Sequence, residues 1–172
     1  MRMQPTLDDI LAQPRPSRDA IVSVDEETHK WVIFELAGER FGFLGERVRE
    51  IFARARVFFV PGCPPSMEGV INVRGDIETV IRPHALLQLP DGAEPGRAST
   101  ILIGRGDGIT SGIRVDRVVD LLDLPQSAIL SLPATLPEAW RAYAIGVIRH
   151  DDRAVTLLDL SLLLAAYGRG LG

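Results

Sequence analysis

Two stretches of the chain carry the same pattern of apolar and polar positions. In the first, Gly69-Val70-Ile71-Asn72-Val73 leads into a polar corner, Arg74-Gly75-Asp76, and Ile77, Val80 and Ile81 lead out. Apolar, β-branched residues alternating around a glycine-containing turn predict a β-hairpin. In the second, Ala144-Ile145-Gly146-Val147-Ile148 leads in, Arg149-His150-Asp151-Asp152-Arg153 turns, and Ala154-Val155-Thr156-Leu157-Leu158 leads out. With Gly69 laid on Gly146, the two copies run without a gap into leucine-rich tails, Ala85-Leu86-Leu87 on Leu162-Leu163-Leu164. The likeness also reaches upstream. Phe41-Gly42-Phe43-Leu44-Gly45-Glu46-Arg47-Val48-Arg49-Glu50-Ile51 lies on Ser111-Gly112-Ile113-Arg114-Val115-Asp116-Arg117-Val118-Val119-Asp120-Leu121, matching Gly42 with Gly112, Arg47 with Arg117 and Val48 with Val118.

The remaining elements fit between these repeats. Residues 1–28 read as a tail, in which Thr6-Leu7-Asp8-Asp9 resembles a helix-capping box and Ile10-Leu11-Ala12 extends it by a turn or two. Pro14 and Pro16 end that helix. Leu7, Ile10 and Leu11 make it either a loose terminus or a docking segment. Trp31-Val32-Ile33-Phe34-Glu35-Leu36 and Phe41-Gly42-Phe43-Leu44 form a first hairpin. The Gly45-Glu46-Arg47-Val48-Arg49-Glu50-Ile51-Phe52 stretch suits a strand or a short helix. Val57-Phe58-Phe59-Val60 is a short strand, and Pro61-Gly62-Cys63-Pro64-Pro65 is irregular because proline cannot donate to a ladder. Pro83 opens a short helix. Residues 89–99 are dense in turn formers and read as a linker between halves. Thr100-Ile101-Leu102-Ile103 and residues 109–115 form the next hairpin, residues 124–138 are mostly irregular, and residues 160–167 form a terminal helix ended by Gly168. Each half thus runs hairpin, valine-acid-aliphatic segment, irregular stretch, hairpin, short helix. Many short strands with polar turns predict an all-β fold of small barrels, which protect sheet edges. A half of about 70 residues is marginal alone. The expected fold is therefore two similar barrels packed together, with subdomain 1 at about residues 30–90 and subdomain 2 at about residues 97–160.

Composition narrows the function. The chain has 172 residues, 46% hydrophobic and 24% charged, as in ordinary globular proteins. Its net charge is −4 and it has no long basic run, which argues against nucleic acid as a partner. Asp8 and Asp9 stand where a secretory signal needs an apolar core, and no apolar run approaches the roughly 20 residues of a membrane helix. The expectation is a cytoplasmic protein without membrane insertion.

The search for catalysis finds little. Cys63 is the only cysteine, so an intrachain disulfide and a multi-cysteine zinc site are excluded. A lone thiol is a nucleophile only beside a base, and the sequence offers none nearby. His29, His84 and His150 lack any compact metal-ligand spacing. Gly104-Arg105-Gly106-Asp107-Gly108 lacks the Lys-Ser/Thr of a phosphate loop and precedes a strand, so it reads as a hairpin turn. Asp151-Asp152 and Asp25-Glu26-Glu27 suit solvated turns. No cofactor or metal is expected. A binding surface remains. Arg74 at its corner is either a solvated turn residue or a donor fork for a partner's carboxylates or backbone. Asn72 can bond the turn backbone. Val48 and Ile51 are either core or an apolar groove flanked by Glu50 and Arg74.

At these residues the chain resembles the CheW family of chemotaxis coupling proteins. The likeness lies in Phe34-Glu35-Leu36-Ala37-Gly38-Glu39-Arg40-Phe41-Gly42, Val48-Arg49-Glu50-Ile51, Gly69-Val70-Ile71-Asn72-Val73-Arg74-Gly75, Val115-Asp116-Arg117-Val118, Ile145-Gly146-Val147 and Leu157-Leu158-Asp159. It runs from about Trp31 to Tyr167 and places a CheW-like domain at residues 29–168. The resemblance implies two five-stranded SH3-like β-barrel subdomains with short helices. It implies a non-enzymatic, cofactor-free adaptor between the regulatory domain of a CheA-type histidine kinase and the cytoplasmic tip of a methyl-accepting chemoreceptor. By that likeness Val48, Glu50, Ile51, Asn72, Val73, Arg74 and Gly75 lie at or near partner surfaces. The chain departs from the family at Val73 for Leu, at Thr79 for Pro, and at Arg82-Pro83-His84 where Asp-Leu-Arg is usual. Arg82 reverses a charge, while the second half keeps Leu158-Asp159-Leu160. The alternative from another class is a small enzyme on paired barrels that uses Cys63 or a histidine.

Overall fold

The structure, a computed structural model, describes residues 26–90 and 100–169. The expected helix at residues 6–12 and most of the linker at residues 89–99 lie outside the described residues. The elements run β1 (Thr28–Leu36), β2 (Glu39–Leu44), β3 (Val48–Phe52), β4 (Met67–Val73), β5 (Asp76–Ile81), α1 (His84–Leu87), β6 (Thr100–Gly106), β7 (Ile109–Val115), β8 (Arg117–Pro125), α2 (Glu138–Arg141), β9 (Ala144–His150), β10 (Arg153–Leu158) and α3 (Leu160–Gly168). The ambiguous stretch divides, with a single 3-10 turn at Gly45–Arg47 and a strand at Val48–Phe52. β8 extends to Pro125, two residues into the stretch expected to be irregular from 124 onward.

The strands form two five-stranded sheets, ordered β8-β1-β2-β10-β9 and β3-β6-β7-β5-β4. These orders interconvert when β1 to β5 are exchanged for β6 to β10, so the sequence repeat is also a repeat of topology. The repeat extends to register. Val48 faces Gly104 in one sheet and Val118 faces Phe34 in the other, and a bulge follows each pair. The sheets do not follow the boundary near residue 90, however. β1 and β2 pair with β8 and β10 of the second half, and β3 and β5 pair with β6 and β7. Each half thus lends three strands to the other half's first hairpin. Hairpin patterns reveal local pairs but carry no information about which distant strand lies on the outer edge of each pair.

This exchange explains why β1 and β6 read as continuous apolar runs. Alternate residues along them face two different cores. Trp31 and Ile33 join Ile148, Val155 and Leu157 inside the first sheet. Ile101 and Ile103 join Ile71 and Val80 inside the second. Val32, Phe34, Leu36, Phe41 and Phe43 meet Ile81, Leu102, Ile113 and Val115 between the sheets, with Leu87 of α1 and Leu160, Leu163 and Leu164 of α3. The Phe34 and Phe43 rings lie 4.7 Å apart at their centroids. Trp140 of α2 packs edge-on against Phe41, and its Nε1–H donates to the Leu87 carbonyl at 2.9 Å. The short helices therefore seal the seam between sheets. Asp159 caps α3 by accepting from the Leu162 N–H.

Among the described residues no ladder joins the outer strands β3 and β4, or β8 and β9, so neither five-stranded subdomain closes as a barrel through backbone hydrogen bonds. Side chains bring the edges together instead. Arg74 meets Glu50 across the β3/β4 opening, and His150 meets Asp120 across the β8/β9 opening.

Candidate functional site

The candidate site is the opening between β3 and β4. The β4–β5 hairpin turns at Arg74 and Gly75, with φ of 52° and 92° and Val73 paired with Asp76. Two left-handed central residues match the right-handed twist of the flanking strands. The turn is thus shorter than expected, and Asp76 already belongs to β5. The Asn72 Oδ1 accepts the Gly75 N–H at 2.8 Å, so this amide holds the corner. Arg74 Nη1 donates to Glu50 Oε1 at 2.5 Å. That bond, with the Glu50 charge, raises the already high pKa of the guanidinium. The Arg74 side chain is 75% exposed and Glu50 24%. An ion pair this exposed contributes little stability. It fixes where a planar set of donors stands.

The structure thus brings Glu50 and Arg74 into contact and treats their neighbours differently. Ile51 is 42% exposed beside Glu50. Val48 is half-buried against the core between the sheets, and Val73 against the interior of the second sheet. Both serve packing at this corner. Gly75 is exposed in the turn.

The sequence reading missed the aromatic part of this surface. Phe58 bridges Val70 on the outer side of β4, with both backbone bonds formed. Phe58 is 49% and Phe59 75% exposed, and Arg56 stacks 5.1 Å from the Phe58 ring. Ile77, opposite Asn72, is 63% exposed. A signal was present in the sequence. Successive residues of a strand face opposite sides, so adjacent phenylalanines on an edge cannot both enter one core.

The departures at Thr79 and residues 82–84 lie elsewhere. Thr79 Oγ1 and Ser111 Oγ are 3.0 Å apart across the parallel β5–β7 pair. The Arg82 N–H donates to Ser66 O, its carbonyl accepts the Tyr167 hydroxyl, and His84 is 5% exposed. Thr79 thus stands at the exposed surface of β5, whereas Pro83 and His84 are buried.

The catalytic candidates do not assemble. Cys63 is half-buried, and its thiol faces the Met67 carbonyl at 3.5 Å. His29 is exposed, His84 is buried as the first residue of α1, and His150 Nε2 lies 3.0 Å from Asp120. Among the described residues no cluster of three or more His, Cys, Asp or Glu is arranged to hold a metal ion, and no helix is long and apolar enough to cross a membrane.

Known proteins agree with this architecture. The chain is 26% identical to the chemotaxis protein CheW of Treponema pallidum over 84% of its own length and 87% of that protein. It is 26% identical to that of Bacillus subtilis over 78% and 86%. The crystal structure of the scaffolding protein TtCheW from Thermoanaerobacter tengcongensis superposes with a TM-score of 0.67 at 27% identity, covering 79% of this chain and 92% of that one. These relatives are named as chemotaxis and scaffolding proteins, not as enzymes. The sequence model of the CheW-like domain matches residues 30–167, nearly all of the described chain, and the protein belongs to that family.

Proposed function

We propose that this protein is a non-enzymatic chemosensory coupling adaptor that joins the regulatory domain of a CheA-type histidine kinase to the cytoplasmic tip of a chemoreceptor. The observation that carries this reading is the Glu50–Arg74 contact at an exposed sheet opening bordered by Ile51, Phe58 and Phe59. A fixed guanidinium beside solvent-facing apolar side chains combines an orienting donor with an area worth covering. Fully burying a phenylalanine is worth about 1.5–3 kcal/mol, and a partner seated here recovers the part of it that Phe58 and Phe59 leave in water. Val48 and Val73 support that surface from behind, Asn72 and Gly75 shape its exposed corner, and Glu50, Ile51 and Arg74 face the partner. The relatives named as chemotaxis and scaffolding proteins support a role in chemotaxis signalling, and the kinase and receptor are what the resemblance to the CheW family implies.

The test is binding of the full chain to the kinase regulatory domain and, separately, to receptor tips, comparing wild type with Arg74→Glu. The reading expects saturable wild-type binding that this substitution weakens by at least about tenfold, since a like-charge pair then faces Glu50 and the partner loses its donor. Equal affinity in both forms would remove Arg74 from the surface.

A further inference from the structure

β4 is an outer strand. Apart from the short bridge at Phe58, its ladder partner is β5 alone. A second attachment crosses over β5. Arg114, in β7 and 4% exposed, donates from Nε and Nη2 to the two carboxylate oxygens of Glu68 in β4. Glu68 is the residue that the ladder leaves over, because pairing passes from Met67–Ile81 directly to Gly69–Val80. A bulge bends its strand and re-aims one side chain. On the other flank of the bulge the backbone lies hard against Phe58. A Cβ on Gly69 would stand 2.1 Å from the Phe58 carbonyl oxygen. From this clamped point β4 continues to Asn72 and the Arg74 corner.

The repeat contains a natural control. β9 and β10 share the same bulge, as pairing passes from Leu157–Gly146 to Leu158–Ala144 and leaves Ile145 over. Ile145 is 48% exposed, and the position equivalent to Arg114 is Leu44. The bulge therefore forms without an ion pair. A buried pair gains little net stability over apolar residues once desolvation is counted. A two-point Arg–carboxylate contact does fix direction as well as distance. The pair occurs on the hairpin whose corner is the exposed Arg74, and is missing from the hairpin whose corner is Asp151-Asp152.

We propose that Glu68 and Arg114 are a positioning pair. They set the angle at which the β4–β5 hairpin leaves the sheet, and so hold Arg74 against Glu50 in the orientation a partner meets. This rests on the reading of the Arg74 corner as partner-facing.

The test replaces both residues in the full chain by those of the other sheet, Glu68→Ile with Arg114→Leu, which removes both charges of the pair together. The expected variant is folded, shows faster amide hydrogen exchange from Val70 to Gly75, and binds the kinase regulatory domain or the receptor tip at least about tenfold more weakly. Adding Arg74→Glu to it then costs far less than in wild type, because the arginine is already misplaced. A folded variant with unchanged exchange, wild-type affinity and an undiminished Arg74→Glu effect would overturn the proposal. If wild type binds neither partner, the functional reading fails, and the exchange measurement alone decides the positioning claim. If the double variant does not fold, Arg114→Lys keeps the charge and loses the fork. Weakened binding by that folded variant supports the proposal, and wild-type affinity overturns it.

Discussion

Arg74 occupies a left-handed backbone position that Gly, Asn or Asp usually fills in a two-residue hairpin turn. The chain keeps a long cation there and places it on Glu50. The sequence singles out both residues. It cannot show that they touch, since they lie on strands that are not ladder partners. Their bond is a tertiary fact produced by the curl of the sheet. Reversing both charges, Glu50→Arg with Arg74→Glu, is expected to keep the melting temperature and still fail to restore partner binding, because the partner reads the sign at position 74. Calorimetry and titration of the same sample check the two halves of that statement. Close approach sets a second residue-scale expectation. Gly69→Ala must displace Phe58 or β4, and overpacking of this kind costs about 1–3 kcal/mol in urea unfolding. Gly146→Ala meets Ile129 and the Leu130 carbonyl in the equivalent place, so it should lose a similar amount.

Elements were legible where periodicity was strong and poorly bounded where it broke. Both repeat hairpins and the terminal helix stand close to where the pattern predicts them. The four bulges that leave Arg49, Glu68, Val119 and Ile145 over were invisible, because an inserted residue keeps the composition of a strand and shifts only its phase. The docking of α3 was equally unreadable. Its Tyr167 hydroxyl donates to the Arg82 carbonyl, and burial, with Tyr143 nearby, pushes the phenol above its usual range. The neutral form is thus favoured in the folded state. Once pH exceeds the unfolded phenol's value of about 10, the unfolded chain releases a proton that the folded chain retains, and stability falls. Tyr167→Phe should abolish that alkaline loss while weakening the helix contact at neutral pH by roughly 1 kcal/mol. Thermal melts from neutral to alkaline pH test this, and an identical alkaline slope in the variant would count against it.

At the scale of the molecule the two five-stranded units were readable, and their exchange was not. The repeat predicts that two similar barrels exist. It says nothing of which first hairpin, β1–β2 or β6–β7, the strands β3, β4 and β5 join. Since each sheet needs both halves, residues 26–90 alone cannot complete either one. That fragment is expected to be unfolded by circular dichroism, as is residues 100–169, and an equimolar mixture should regain β structure. A folded fragment would mean that the halves are independent. The same interleaving ties the Arg74 corner to β6 and β7 of the second half, so the candidate surface belongs to the whole domain. The central claim is that this surface couples a kinase to a receptor, and the most direct measurement is a titration of the full-length protein against the kinase regulatory domain. Saturable binding that Arg74→Glu weakens at least about tenfold, with its melting temperature unchanged, is the predicted result. Absence of binding by a demonstrably folded protein, or binding indifferent to Arg74, would contradict it.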